Sequence, residues 1–167
     1  MTRDSRPLVL LDVDGVINDL GALRGTHRPW VTERFDSHGY LIHCPDYMPG
    51  LVQELARLCE IHWCTTWRHR ANDEISDHLG VEPFPVIDDA SGQRDVSWKA
   101  STAYRLAAEA LENGRRVIWI EDFAGDLPIG DMPEGVEFVD TAADCEFVLL
   151  PEHLPSGLTP EPVRASS

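Results

Sequence analysis

The chain has 167 residues, 43% of them apolar and 26% charged, and a net charge of -15 at neutral pH. That length suits one domain with a full core, and the acidity argues against a broad electrostatic footprint on nucleic acid. No stretch approaches the roughly 20 apolar residues of a membrane helix, and the polar start Met1-Thr-Arg-Asp-Ser-Arg-Pro lacks a signal-type apolar region. A cytoplasmic protein with no membrane partner is therefore expected. Cys44, Cys59, Cys64 and Cys145 form no Cys-x-x-Cys pair. A zinc site from His43, Cys44, His62 and Cys64 is disfavoured, because neighbours on a strand point to opposite faces.

The first element is Leu8-Val-Leu-Leu, a continuous apolar run of the kind a central parallel strand carries when both its faces are covered. It ends in acid, at Asp12 and Asp14, with Gly15 next to allow a sharp turn. A period of two while the chain is extended sends both carboxylates to the same side. Alone, Asp-x-Asp-Gly reads as well as a turn. An EF-hand is excluded, since the twelfth position from Asp12 is Leu23 and not Glu. The carboxyl end of such a strand is where open α/β sheets bind ligands.

A polar segment follows in which Trp30–Phe35 and Tyr40–Cys44 flank Asp36-Ser-His-Gly, a predicted β-hairpin too short for a cap domain. Pro49 opens a helix with Leu51, Val52, Leu55, Leu58 and Cys59 on one face. Ile61-His-Trp-Cys-Thr is the next strand, ending at Thr65 and Thr66, where a hydroxyl alone would read as a helix cap. A helix from Asn72 to Leu79 stops at Gly80, and Pro85-Val-Ile-Asp is a short third strand. A helix from about Trp98 to Asn113 buries Ala103, Leu106, Ala107, Ala110 and Leu111 and stops at Gly114.

Arg116-Val-Ile-Trp-Ile is a fourth apolar strand that also ends in acid, at Glu121 and Asp122, with Asp126 four residues on. Val136–Asp140 and Phe147–Leu150 are candidate closing strands, the second preferred, and the tail over 160–167 is expected to be mobile. Alternating strands and helices predict an α/β fold: a three-layer α/β/α sandwich around a mainly parallel, Rossmann-like sheet. It would form a single domain over 1–167, with the hairpin as a small flap inserted at about 19–47 and no large cap.

In order, the strand ends and the helix start supply Asp12/Asp14, Thr65/Thr66, Lys99 and Glu121/Asp122/Asp126. Phosphate monoesters hydrolyse extremely slowly in water, so a catalyst must supply a nucleophile, neutralise charge and protonate the leaving oxygen. Two neighbouring carboxyls can divide the nucleophile and acid/base roles. Either threonine can meet charge on a phosphoryl oxygen, Thr65 being preferred as the first after the apolar run. Lys99, the only lysine in the chain, offers a compact point charge. Hard oxygen ligands beside a phosphate call for Mg2+. Gly15, Thr66, Arg28, Trp67 and Arg68 are the candidates for holding substrate. Arg28 and Arg68 belong to two basic segments, Arg24–His43 and Arg68–Arg70, that flank the acids.

This ordered set resembles the haloacid dehalogenase-like (HAD) hydrolase superfamily over roughly Leu8 to Leu150. The resemblance implies a phosphatase in which Asp12 attacks phosphorus and forms an aspartyl-phosphate while Asp14 acts as general acid and base. It also implies Mg2+ held by Asp12, the backbone carbonyl of Asp14 and Asp122, with Glu121 a possible further ligand and Asp126 behind them. An acid at position 14 points away from the dehalogenase and ion-pump branches. Pro49-Gly-Leu, Trp63-Cys-Thr-Thr-Trp-Arg-His-Arg-Ala-Asn, Trp98-Lys, Trp119-Ile-Glu-Asp and Gly157-Leu-Thr look like a smaller branch related to Swiss Army Knife RNA repair proteins. The expected partner is a phosphorylated small molecule or a phosphorylated nucleic-acid end. A receiver-like domain phosphorylated near Asp88, or a catalytically silent phosphate- or nucleotide-binding domain, is the competing expectation.

Overall fold

The computed structural model describes residues 4–88, 97–122 and 132–159, with the backbone alone for residues 97 and 98. Asp126, Asp89 and the tail over 160–167 lie outside the described residues.

Leu8–Leu11 form β1, and all four side chains are buried. β1 lies inside a four-stranded parallel sheet, with β4 (Glu60–Trp63) on one side and β5 (Val117–Glu121) on the other; β6 (Val136–Asp140) follows β5. The alternation of β1 divides the core. Val9 and Leu11 face a cluster that includes Leu51, Val52 and Leu55 of helix α2 (Met48–Leu58), whereas Leu8 and Leu10 face Ala103, Ala107 and Ala110 of helix α4 (Ser97–Glu112). Burying a leucine on either side contributes about 1.5–3 kcal/mol, so a polar residue at any position of β1 would be costly. Small alanines at helical spacing let α4 approach the sheet closely.

Register decides what the strand ends share. Leu11 pairs with Trp63 of β4 and with Ile120 of β5, so the residues just beyond these three leave the sheet at one rim. The Asp12 N–H donates to the Ile120 carbonyl at 3.1 Å and the Cys64 N–H to that of Leu11 at 2.8 Å, which carries the pairing one step past the strands.

The insertion between β1 and α2 is a one-turn helix α1 (Leu20–Leu23) and an antiparallel hairpin, β2 (Thr32–Ser37) and β3 (Tyr40–Pro45). His38 and Gly39 both have positive φ, 49° and 87°, the two-residue turn whose twist suits a hairpin. No large cap is present among the described residues, and no described helix is long and apolar enough to cross a membrane.

Three predicted elements differ. Pro85–Asp88 is not a strand: Val86 makes one isolated parallel bridge to Trp63, because Pro83 and Pro85 lack the N–H donors a ladder requires. Phe147–Leu150 is not a strand either, and β6 closes the sheet instead. Positive φ at Cys145 (63°) and Phe147 (54°) breaks extension there. That run is apolar because Val148 and Leu149 are buried beside the loop after β1, where the Leu149 N–H donates to the Val16 carbonyl at 2.9 Å. The helix expected over 72–79 begins as a π-helical turn at Asn72–Ser76 before α3 (Asp77–Leu79), and Gly80 stops it with φ 69° as expected. Asn72 is held there by three donors to its Oδ1: the Trp63 indole, the Ser76 hydroxyl and the Phe84 N–H.

Candidate active site

Asp12, Glu121 and Asp122 each turn a carboxylate oxygen into one space at the rim, all within 4.8 Å of one another. No other group of three metal-ligating side chains is this close among the described residues. Lys99 reaches the same space from the first turn of α4, its Nζ 2.5 Å from Glu121 Oε1 and 3.7 Å from Asp12 Oδ2. Lys99 is 1% exposed, Asp12 6% and Glu121 5%. A lysine this deep is tolerated only among anions.

The charges do not balance: one ammonium faces three carboxylates. Burial works to lower the Lys99 pKa, but Asp12 and Glu121 outweigh it and hold the group well above its ordinary value, so it stays charged. Burial is also the largest influence on Asp12 and pushes its carboxyl up, while Lys99, the Val13 N–H and the Thr65 hydroxyl pull it back. Glu121 is pushed up to about 8 by burial first and the charge of Asp12 second. Asp122 rises to about 7 for the same two reasons in the same order. A divalent cation between Asp12 and Asp122 would supply the missing positive charge. All-oxygen donors of this kind suit Mg2+, so the residues present fit that ion.

The loop after β1 is wound on one carbonyl: the Val13 oxygen accepts from the N–H groups of Val16, Ile17 and Asn18 at 3.2, 2.8 and 2.9 Å. Because β1 ends at Leu11, the period of two no longer governs Asp12 and Asp14. Asp12 turns to Lys99, whereas Asp14 accepts from Asn18 Nδ2 and from the Trp67 indole N–H, each at 3.0 Å. Asn18 also accepts the His43 N–H at 2.9 Å through Oδ1, which ties the hairpin to the acid.

Gly15 has φ 74°, and its carbonyl accepts the Thr141 hydroxyl at 2.5 Å. A Cβ there would stand 2.6 Å from Asp122 Oδ2 and 2.9 Å from Asp122 Cβ. Gly15→Ala thus combines left-handed strain with a collision against a candidate ligand. Urea denaturation is expected to show a loss of about 1–3 kcal/mol, accompanied by weakened Mg2+ binding in a calorimetric titration. Wild-type values for both would refute the close packing of Gly15 on Asp122.

Thr65 is fully buried; its hydroxyl bonds Asp12 and accepts the Trp67 N–H at 3.2 Å. Thr66 is exposed and lines a cleft of about 160 Å3 with Asp14, Tyr40, Trp67 and Arg70. One candidate sits elsewhere. Arg28 pairs with Asp19 at 2.7 Å and with the Glu146 carboxylate, stacks 5.1 Å from the Trp30 ring and lines a different cavity. Arg68 donates to Asp88 at 3.3 Å. The charge of Arg28 is thus met by local acids away from the cluster, whereas Arg70 of the second basic segment lines the cleft beside Asp14. Asp126 lies outside the described residues.

Sequence reasoning did not single out Asn18, Tyr40 or Trp119 for the site, and it named Arg70 only as part of a basic segment flanking the acids. Trp119 donates its indole N–H to Glu121 Oε2 at 2.8 Å, so both Glu121 oxygens are engaged, one by Lys99 and one by Trp119. The guanidinium of Arg70 lies 5.1 Å from the Trp67 ring and 5.6 Å from that of Tyr40. The spacing Trp67-x-x-Arg70 was a signal for one of them, since residues three apart lie on one face of a turn. Compared with protein-family models, with curated proteins and with solved structures, the chain finds no match.

Proposed function

We propose that this protein is a Mg2+-dependent phosphatase of the HAD-like type that hydrolyses a phosphate monoester through Asp12. The observation that carries the reading is the meeting of Asp12, Lys99, Glu121 and Asp122 at one rim of the sheet, from two strand ends and a helix start that are far apart in the chain. A turn or a solvated acidic loop gives no reason for it. Helices packed on both faces of the parallel sheet and the small hairpin insertion agree with a three-layer sandwich without a large cap. A cytoplasmic setting belongs to the same reading.

Asp12 attacks phosphorus through Oδ2 while Oδ1 is held by the Val13 N–H at 2.8 Å. As the new O–P bond forms, the ester P–O bond breaks and the leaving alkoxide takes a proton from Asp14. Water then attacks the aspartyl-phosphate, Asp14 takes the water proton, and inorganic phosphate leaves with Asp12 restored. Lys99 neutralises charge on the phosphoryl oxygens beside Asp12, and Glu121 and Trp119 keep the ammonium in place. Asp12, Asp122 and the Asp14 carbonyl would hold Mg2+, which when bound would supply charge neutralisation for the nucleophile and the phosphoryl group. The receiver-like alternative is weakened by Asp88, which pairs with Arg68 and His69.

Phosphate release from a panel of monoesters, lost in Asp12→Asn, tests the reading. Heat denaturation tests the ion separately. The raised Asp122 and Glu121 favour the protonated folded protein, so the stability they contribute is full below the unfolded carboxylate range near pH 4. It is lost as pH rises through about 7 and 8. Mg2+ relieves that loss only where the acids are ionised. At 100-fold excess over Kd the ion is expected to stabilise by about 2.7 kcal/mol, or roughly 5–10 °C in Tm, at pH 8 and much less at pH 5. Equal shifts at the two pH values would count against Mg2+ at these acids.

A further inference from the structure

Two clefts open beside Asp14 and share Tyr40 and Trp67 as walls. The polar one is completed by Thr66 and Arg70; the other, of about 410 Å3, is lined by Leu20, Leu23, Leu41 and Ile42. Leu23, Tyr40 and Leu41 are 49, 60 and 46% exposed, an apolar patch gathered directly against a carboxylate in a strongly acidic chain. Large apolar side chains left open together mark a binding surface. The patch is also rigidly aimed. Tyr40 is the first residue after the two-residue hairpin turn, its ring meets that of Trp67 edge-on at 5.8 Å, and the Trp67 indole is pinned to Asp14 at 3.0 Å.

We propose that this double cleft is the leaving-group subsite and that it selects phosphate monoesters whose leaving group carries a planar ring. The inference rests on the phosphatase reading, since it takes Asp14 as the group beside the leaving oxygen. A ring entering between Leu23, Leu41 and the face of Tyr40 removes apolar surface from water on both partners, and stacks on an aromatic face. Arg70 and Thr66 on the polar side meet oxygen or nitrogen substituents of that ring. A short aliphatic alcohol covers less of that apolar surface and cannot stack on the Tyr40 ring.

The test compares benzyl phosphate with propyl phosphate, whose leaving alkoxides are of similar basicity, in the full chain with Mg2+. The wild type is expected to favour benzyl phosphate in kcat/KM by about 10- to 100-fold, mostly through KM. In Tyr40→Ala and in Leu41→Ser, both at exposed positions, the ratio should fall towards one. Benzylphosphonate should likewise quench tryptophan fluorescence at lower concentration than propylphosphonate, a difference that Tyr40→Ala removes. Nucleoside 3′- and 5′-monophosphates form a third arm. Rates above that of benzyl phosphate, lost in Tyr40→Ala, make a nucleobase the source of the ring, and lower rates make it a simple aryl group. A wild-type ratio near one, or a ratio that survives both substitutions, overturns the inference while leaving hydrolysis through Asp12 intact. Absence of hydrolysis from every ester overturns the phosphatase reading and this inference with it.

Discussion

Asp12→Asn is expected to lower phosphate release by at least about a thousandfold with the fold intact, because an amide oxygen keeps the shape of the carboxylate and loses its nucleophilicity. The loss should fall on kcat and on kcat/KM together, and no burst of bound phosphate should appear in rapid-quench measurements. Structural damage is not a competing explanation. The substituted residue removes one of three crowded carboxylates, and Lys99 keeps Glu121 at 2.5 Å as its counterion. The urea midpoint at pH 8 is therefore expected at or above that of the wild type. Turnover retained within tenfold would remove Asp12 from the chemistry and leave only a buried acidic cluster.

Lys99→Met is expected to be the most destabilising single substitution in the site. Methionine fills the space but strands Asp12, Glu121 and Asp122 without a cation, and breaking a buried charge cluster in this way costs about 3–5 kcal/mol. The sign of its pH dependence is fixed by the direction of the shifts. Without the ammonium the acids rise further above their unfolded values, so the variant approaches wild-type stability near pH 4 and falls behind as pH climbs past 7. Urea titrations at both pH values check this. Adding Glu121→Gln should restore part of the loss at pH 8, since it removes the carboxylate closest to the missing ammonium, while phosphate release remains absent. A Lys99→Met protein as stable as the wild type at pH 8 would mean that the ammonium does not compensate these acids.

A place for Glu121 in the metal's coordination was one expectation from the sequence, and one of its oxygens lies within 4.8 Å of carboxylate oxygens of Asp12 and Asp122. The structure adds that its two oxygens receive the Lys99 ammonium and the Trp119 indole. The acid was legible as part of the cluster because it directly follows an apolar strand. Its partners were not, since Trp119 lies two residues back on the same strand, where an apolar run gives no hint that an indole N–H turns to the rim.

Local pattern carried much of the fold. The apolar runs of β1, β4 and β5, the hairpin with Gly39 in its turn, and the approximate limits of α2 and α4 all follow from periodicity, proline and glycine, which act within a few residues. The hairpin's first strand runs on through Asp36 and Ser37, which the pattern had given to the turn. The pattern failed at Phe147–Leu150, where burial beside the loop after β1 produces the same composition as a strand, and at Val86, where flanking prolines leave one bridge from an expected ladder.

The sequence by itself determined that acids close two buried strands and that a single lysine opens a late helix, since apolar runs and turn residues write such features locally. Only the tertiary structure decided which charges meet. The register that sets Leu11 beside Trp63 and Ile120 brings Asp12, Asp122 and Lys99 to one rim; the hairpin places Tyr40 against Trp67; and Asp19 with Glu146 draws Arg28 elsewhere. Strand order and register are cooperative properties of the whole sheet, so no window of sequence contains them.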